Sequence, residues 1–380
     1  MKGPTRDSHS GRPKEGQRLI NPPTDSGSTV LFADYETFRD RKTAFHYGRG
    51  GTGTHRAFED SLLELENAAH VTLTSSGLAA IPLAIQTFAG AGGHILVTDS
   101  AYDPTRAFCD GVLSRMGVET TYYDPQIGAD IAGLIRPNTQ LIFCETPGSL
   151  TFEVQDIPAI VAAAGDIPVI VDNTYAAGIF FRPLDLGATI SIQAITKYVA
   201  GHSDLLMGAV FGNRQSAAAV MSTARQLGHS VSARDVTLAH RGLRTLHRRM
   251  DVHQQSALEI AKWLDKHPLV HRVLHPGLPN HPGAEIWSRD ATGTCGLFSF
   301  IADWSDDAHT QRFIEALELH GLGYSWGGFE SLCLPAWPNR SRSAVPWTEE
   351  RQLFRLHVGL EAVEDLTADL ERGFDAAANG

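Results

Sequence analysis

An α/β fold is what this sequence predicts: a large, mostly parallel sheet covered by helices, followed by a smaller C-terminal α/β region. Three observations carry the prediction. After Gly90, short apolar and β-branched runs alternate with helical segments, the pattern of βα units in a sheet covered on both faces. Polar residues gather just after those runs, where ligands sit in such sheets. Near Leu243 the texture changes to a long amphipathic helix and a second, shorter α/β stretch.

Taken in order, residues 1 to about 28 are polar and rich in Pro and Gly, and read as a flexible or partner-dependent arm. A glycine-rich loop, Thr43 to Gly53, leads into an amphipathic helix from about Arg56 to Glu66. A strand, His70 to Ser76, joins an apolar helix that runs to about Phe88. Strands follow at His94–Thr98, Glu119–Tyr123, Leu141–Cys144, Pro168–Val171 and Ile190–Ile195. Between them lie helices at Thr105–Met116, Ile131–Ile135 and Ile157–Ala164. Beyond 243 come a helix from Leu246 to Leu264 and strands at Gly296–Ile301 and Phe354–Val358. Helices at His309–Leu319 and Val363–Gly373 complete this part. The expected division is an arm over 1–47, a cofactor-binding domain over 48–243 and a C-terminal α/β domain over 244–380.

Composition excludes several function classes. The 380 residues are 42% hydrophobic and 20% charged, ordinary for a globular protein. A net charge of -11 does not suit nucleic acid or an anionic membrane. No apolar run approaches the length of a membrane span, and the N-terminus has no secretory pattern. Cys109, Cys144, Cys295 and Cys333 are far apart, which points to reduced thiols and a cytoplasmic location.

The chemistry centres on Ser191-Ile-Gln-Ala-Ile-Thr-Lys197, read as a buried strand ending in a lysine. A lone lysine at a strand end ordinarily points into water. A desolvated one has a lowered pKa and can form a Schiff base with a carbonyl. Asp172 ends the apolar strand before it, where a buried carboxylate needs a cation such as a protonated pyridine nitrogen. Tyr102 lies on the same edge and could stack on a flat ring, and Ser76-Gly77-Leu78 opens a helix whose amides suit a phosphate. Together these residues call for pyridoxal 5'-phosphate (PLP).

Three other patterns are set aside. Gly48, Gly50 and Gly53 match GxGxxG, but the next strand ends in hydroxyls rather than a ribose-binding acid. His267, His271, His275 and His281 are separated by Pro268 and Pro276, so no shared helix presents them as metal ligands. Asn339-Arg340-Ser341 is a glycosylation sequon without a secretory context.

From about Thr43 to the last helix the chain resembles the cystathionine β-lyases, within the fold-type I PLP enzymes of cysteine and methionine metabolism. The resemblance rests on Tyr47-Gly-Arg49-Gly-Gly-Thr, Asp124-Pro-Gln-Ile-Gly-Ala-Asp-Ile131, Val171-Asp-Asn-Thr-Tyr-Ala-Ala-Gly178, Ser191 to Asp204, Tyr324-Ser-Trp-Gly-Gly-Phe-Glu-Ser331 and Arg355-Leu-His-Val-Gly-Leu. It implies that Lys197 is the Schiff-base lysine, that Asp172 partners the pyridine nitrogen and that Tyr102 stacks on the ring. Gly77 and Leu78 amides, with Ser76 and Thr196, would bind the phosphate. Tyr47 and Arg49 would reach the phosphate of a neighbouring subunit, giving a homodimer with shared active sites, and a homotetramer is the family's usual assembly. Arg355 would clamp the carboxylate of an amino-acid thioether, beside Ser325 and Trp326.

Two positions depart from the family: Leu238 stands where relatives carry tyrosine or another polar residue, and Ala194 where several carry serine. The activity implied is β-elimination of L-cystathionine to homocysteine, pyruvate and ammonia, with Lys197 as proton carrier. Tyr102 would either deprotonate the incoming amine or steer the leaving sulfur. The alternatives are a γ-acting relative (methionine γ-lyase or cystathionine γ-synthase) and a lyase directed at cysteine or cystine. Trp326 favours the β-lyase, because γ-acting relatives usually lack it. A non-catalytic protein on the same fold would have lost part of the Lys197, Asp172, Tyr102 and Arg355 set.

Overall fold

The computed structural model of the chain describes residues 2–12 and 19–379. Its first helix, α1 (Gly3–Ser8), lies in the expected arm but packs on the chain itself. Asp7 is 3% exposed, accepts from the His247 backbone N–H at 3.2 Å and pairs with that residue's ring. Ser10 bonds the Ser61 and His240 side chains at 2.6 Å each. Farther along, Leu19, Leu31 and the start of α2 (Tyr35–Asp40) are exposed. The glycine-rich loop forms a 3-10 turn (Gly48–Gly50) before α3 (Gly53–Glu66), which begins three residues earlier than its apolar stripe suggests.

The next elements are β1 (His70–Thr74), α4 (Gly77–Phe88), β2 (His94–Thr98), α5 (Asp103–Phe108), β3 (Glu119–Tyr123), β4 (Thr139–Glu145), α6 (Ile157–Ala164), β5 (Val169–Asp172), β6 (Ile190–Gln193) and β7 (Gly208–Gly212). They form a seven-stranded sheet of order β1-β7-β6-β5-β4-β2-β3, parallel from β3 through to β6, with β7 antiparallel to both neighbours. α4 covers one face with the wholly buried Leu83 and Ile85. The helix expected over Thr105–Met116 passes through a π turn at Cys109–Leu113, and Ile131–Ile135 falls at the end of a 3-10 stretch, Gly128–Leu134.

β7 escapes the sequence reading because glycines bound it, and glycines usually mark turns. Here they are needed for close approach instead. A Cβ on Gly208 would lie 2.3 Å from the Ser76 carbonyl oxygen, and one on Gly212 would lie 2.3 Å from the His70 ring. The strand expected to end at the lysine is also shorter. β6 stops at Gln193, where its ladder to β7 ends, and the chain then coils. Lys197 N–H donates to the Ala194 carbonyl, and Gly201 N–H to the Lys197 carbonyl. Lys197 therefore stands on a turn four residues past the strand.

The rest comprises α7 (Ala217–Leu227), α8 (Ala233–Leu243), α9 (Leu246–Leu264), β8 (Val270–Leu274), α10 (Ala284–Asp290), β9 (Leu297–Ala302), α11 (Asp307–Ala316), β10 (Leu332–Ala336), β11 (Leu353–His357) and α12 (Val363–Ala378). Four antiparallel strands form a second sheet of order β10-β11-β9-β8. Of these, β8 and β10 are hidden in sequence by exposed His271 and Arg272 and by Pro335. Phe300, Phe313, Phe354 and Phe374 pack with ring centroids 4.8–6.1 Å apart in its core. No helix among the described residues is long and apolar enough to cross a membrane.

Candidate active site

At the carboxyl edge of the large sheet a cavity of about 270 Å³ is lined from four directions. β4 and β5 supply Glu145 and Asp172, the N-terminus of α4 supplies Ser76 to Leu78, and the turn after β6 supplies Thr196 and Lys197. The C-terminal region adds Tyr324 to Trp326 and Arg355. Lys197 Nζ donates to Ser325 Oγ at 2.8 Å and lies 5.3 Å from the Trp326 ring centroid. Burial pushes its amine down to about 8, helped by Arg355 and opposed by Asp172.

Asp172 and Glu145 are direct partners across the β4–β5 register. Asp172 Oδ1 accepts from the Thr174 backbone N–H (3.0 Å) and hydroxyl (2.6 Å), and Glu145 Oε2 from the Tyr102 N–H (2.7 Å). Among the described residues neither carboxyl has a cation in salt-bridge contact. Burial raises both, Glu145 well above the ordinary carboxylate range, and Asp172 raises Glu145 further. Two neighbouring carboxyls in this state favour a proton or a positive ring nitrogen between them and the cavity. Tyr102, 45% exposed, stands over the same edge, and burial, then Glu145, push its phenol up.

Opposite the carboxyls, Ser76 caps α4 by accepting from the Ala79 N–H (3.1 Å). A Cβ on Gly77 would lie 2.5 Å from the Ala194 Cβ, so glycine at one position and a small residue at the other bring the helix against the lysine turn. The α4 amides and helix dipole face the cavity with no acidic residue in the first turn, as an anion requires. The Thr196 hydroxyl donates to the Met207 carbonyl (3.1 Å) and accepts from its N–H (2.9 Å), which pins the turn.

On β11, Arg355 Nη2 donates to the Ser325 carbonyl at 3.0 Å. Ser325 has φ +89°, a strained conformation for a residue with a side chain. Gly327 (φ +83°) touches the lysine turn, and a Cβ there would lie 3.0 Å from Lys197 Cα. Its N–H donates to His357 Nε2 (3.0 Å), which braces the loop from β11. Arg249, buried on α9, donates to the Tyr198 and Val199 carbonyls and holds the other side of that turn.

Tyr47 and Arg49 do not line this cavity; they face a separate surface cleft, with Arg49 5.8 Å from the Tyr47 ring centroid. Leu238 is 40% exposed on α8, also outside the cavity. The histidines His267, His271, His275 and His281 diverge: His267 stacks on Phe374 at 4.1 Å and His275 packs on Phe298. Glu145 was read from the sequence only as one of the polar residues at this edge, with no role; its pairing with Asp172 comes from the strand register. Arg249 and His357 were missed because they act across long sequence separations.

A lysine amine, a carboxyl pair suited to a ring cation and a helix N-terminus suited to a phosphate thus converge, and they fit PLP. Over residues 5–375 the chain matches the family described as Cys/Met metabolism PLP-dependent enzyme. A putative cystathionine beta-lyase of Rhizobium johnstonii is 46% identical over 382 residues, covering 98% of this chain and 96% of that protein. Cystathionine beta-lyase MetC of Escherichia coli is 44% identical over 336 residues, covering 86% and 85%. The crystal structure of cystathionine gamma synthase from Xanthomonas oryzae pv. oryzae in complex with cystathionine superposes with a TM-score of 0.91. That structure is 29% identical, with 100% of this chain and 99% of that chain covered. The chain belongs to the Cys/Met metabolism PLP-dependent enzymes, and pyridoxal 5'-phosphate is its cofactor.

Proposed function

We propose that the protein is a carbon–sulfur lyase that cleaves L-cystathionine by β-elimination to homocysteine, pyruvate and ammonia. The observation that carries this reading is the half-buried Lys197 amine, lowered to about 8 in one cavity with the Asp172–Glu145 pair and Arg355. Lys197 would hold the cofactor aldehyde, Asp172 the ring nitrogen, Tyr102 the ring face, and Ser76, Gly77 and Leu78 the phosphate, with Thr196 fixing the turn between them. Bound pyridoxal 5'-phosphate supplies an electron sink that acidifies the substrate Cα–H.

Once the incoming substrate amine has displaced it from the aldehyde, Lys197 would take that proton, and its hydrogen bond to Ser325 Oγ aims the amine. Arg355 presents a fork to the substrate carboxylate and is already oriented by the Ser325 carbonyl. Tyr102, over the same edge, would either deprotonate the incoming amine or steer the leaving sulfur. Trp326 forms the wall beside Lys197 and supports β- over γ-elimination. The likeness to a γ-synthase structure supports the γ-acting alternative. Keto-acid analysis separates them: pyruvate from L-cystathionine is expected, and 2-oxobutyrate in its place would assign γ-elimination.

The same reading divides the chain at about residue 243 and makes it a cytoplasmic homodimer, paired into a tetramer. Tyr47 and Arg49, outside their own cavity, would serve the neighbour's phosphate. Mixing inactive K197A with inactive R49M should restore activity through hybrid dimers, and no recovery would exclude shared sites.

A further inference from the structure

Between the cofactor residues and the C-terminal region runs a loop, Pro147 to Glu153, whose conformation local sequence does not explain. Leu150 (φ +64°) and Phe152 (φ +57°) both hold left-handed backbone, a strained state for residues with side chains, and both line the cavity. Strain of this kind persists only where surrounding structure enforces it. The residue between them, Thr151, is 3% exposed and does not face the cavity. Its hydroxyl meets Arg342 Nη2, and the same guanidinium pairs with Glu153.

Arg342 arrives from far along the chain, in the segment between β10 and β11, and its side chain is 4% exposed. That segment is itself moored. The wholly buried Asp99 carboxylate at the end of β2 accepts from the Ser343 N–H at 3.0 Å and the Val345 N–H at 2.9 Å. Arg106 completes the mooring, donating to Asp99 Oδ1 and to Ser343 Oγ, each at 2.8 Å. A buried cation fixed by one carboxylate at a strand end therefore reaches across to hold the strained loop.

In the function proposed above Lys197, Asp172, Tyr102 and the start of α4 serve the cofactor, and Arg355 serves the α-carboxylate. Leu150 and Phe152 remain as wall for the substrate's own side chain. We infer that Arg342 is a positioning residue for substrate specificity: it clamps Thr151 and Glu153 so that Leu150 and Phe152 form the wall against which the thioether arm packs. This rests on the proposed lyase reading and adds a specificity determinant to it.

The test uses the PLP-loaded enzyme with two substrates, L-cystathionine and L-β-chloroalanine, which share the reacting atoms and differ in the arm. R342M should raise KM for cystathionine about tenfold, as expected for displacement of a positioning wall, with kcat and KM for β-chloroalanine nearly unchanged. T151V, a milder change that guards against misfolding of the first variant, should raise KM for cystathionine about threefold, the worth of one neutral hydrogen bond. Backbone amides of 148–153 should exchange faster with deuterium in both variants. An unchanged KM for cystathionine in both, or an equal rise for both substrates, overturns the inference. Unaltered exchange at 148–153 overturns it even if the parent releases no pyruvate from cystathionine, a result that would separately defeat the proposed function.

Discussion

Asp172 and Asp369 are both enclosed acids, and the protein treats them in opposite ways. Asp369, on α12 against the small sheet, is 1% exposed. It accepts from the backbone N–H groups of Glu318 (2.8 Å), Leu319 (3.1 Å) and His320 (3.0 Å), from the His320 ring (2.8 Å) and from Arg372. Those partners hold its carboxyl well below the usual range even though burial opposes them. Among the described residues Asp172 accepts only from Thr174, it has an acid neighbour in Glu145, and burial raises it. A buried carboxylate whose lone pairs are filled by its own fold contributes to stability. One left short of positive charge is a site that waits for it.

The comparison breaks first at Lys197. K197A should lower pyruvate release from cystathionine by roughly 10³-fold or more, the scale of a lost general base. A parental rate would remove the cavity from catalysis. Next, D369N should destabilise the fold by about 2 to 3 kcal/mol in urea unfolding, because the backbone donors of Glu318, Leu319 and His320 lose a charged acceptor. Its stability contribution is complete above the ordinary carboxylate pKa and fades as pH falls below it, since the folded-state pKa is depressed. D172N should behave in the reverse manner, with unfolding midpoint retained and PLP affinity of the apoenzyme reduced roughly 10- to 100-fold, one charged contact's worth. If D172N instead unfolds like D369N while keeping its PLP affinity, the distinction between the two acids fails.

Glu66 offers the finest test, because it combines features of both. It is fully buried beneath the ends of β5 and β6, and its Oε1 accepts from Asn173 Nδ2 (2.9 Å), Ser191 Oγ (3.2 Å) and the Gln193 amide. Its Oε2 has no partner among the described residues, and burial raises the group to about 7. A raised acid is most stable while protonated, so stability should be lost as pH climbs from 4.5 through about 7. E66Q should flatten that slope, gaining on the parent by about 3 kcal/mol by pH 8 in thermal unfolding. Parallel pH profiles for the two proteins would show that Glu66 does not titrate there.

Sequence patterns reached the elements with strong periodicity. α9 spans Leu246–Leu264 as its apolar stripe predicts, and the parallel strands fall within a few residues of their β-branched runs. Lys197, Asp172 and Gly77, which line the cavity, were singled out because each sits in a short motif whose local chemistry is unusual, whereas Arg355 was singled out only by the family resemblance. The strand before the lysine was read too long, since a β-branched run continues past the point where β7 stops pairing with it. β7, β8 and β10 were missed because glycines, exposed charges and a proline disguise strands that form only when neighbours supply the ladder.

By itself, then, the sequence determined the α/β class, the cofactor chemistry and several of the residues that line the cavity. Those depend on local periodicity and on residue types that have few other uses. Tertiary structure alone decided that Glu145 would face Asp172, that His357 would brace Gly327 and that Arg342 would reach Thr151. It also decided whether a buried acid is satisfied, as Asp369 is, or left waiting, as Asp172 is. The physical reason is that a carboxyl's charge state depends on donors and cations brought close by folding, and separation along the chain carries no record of them.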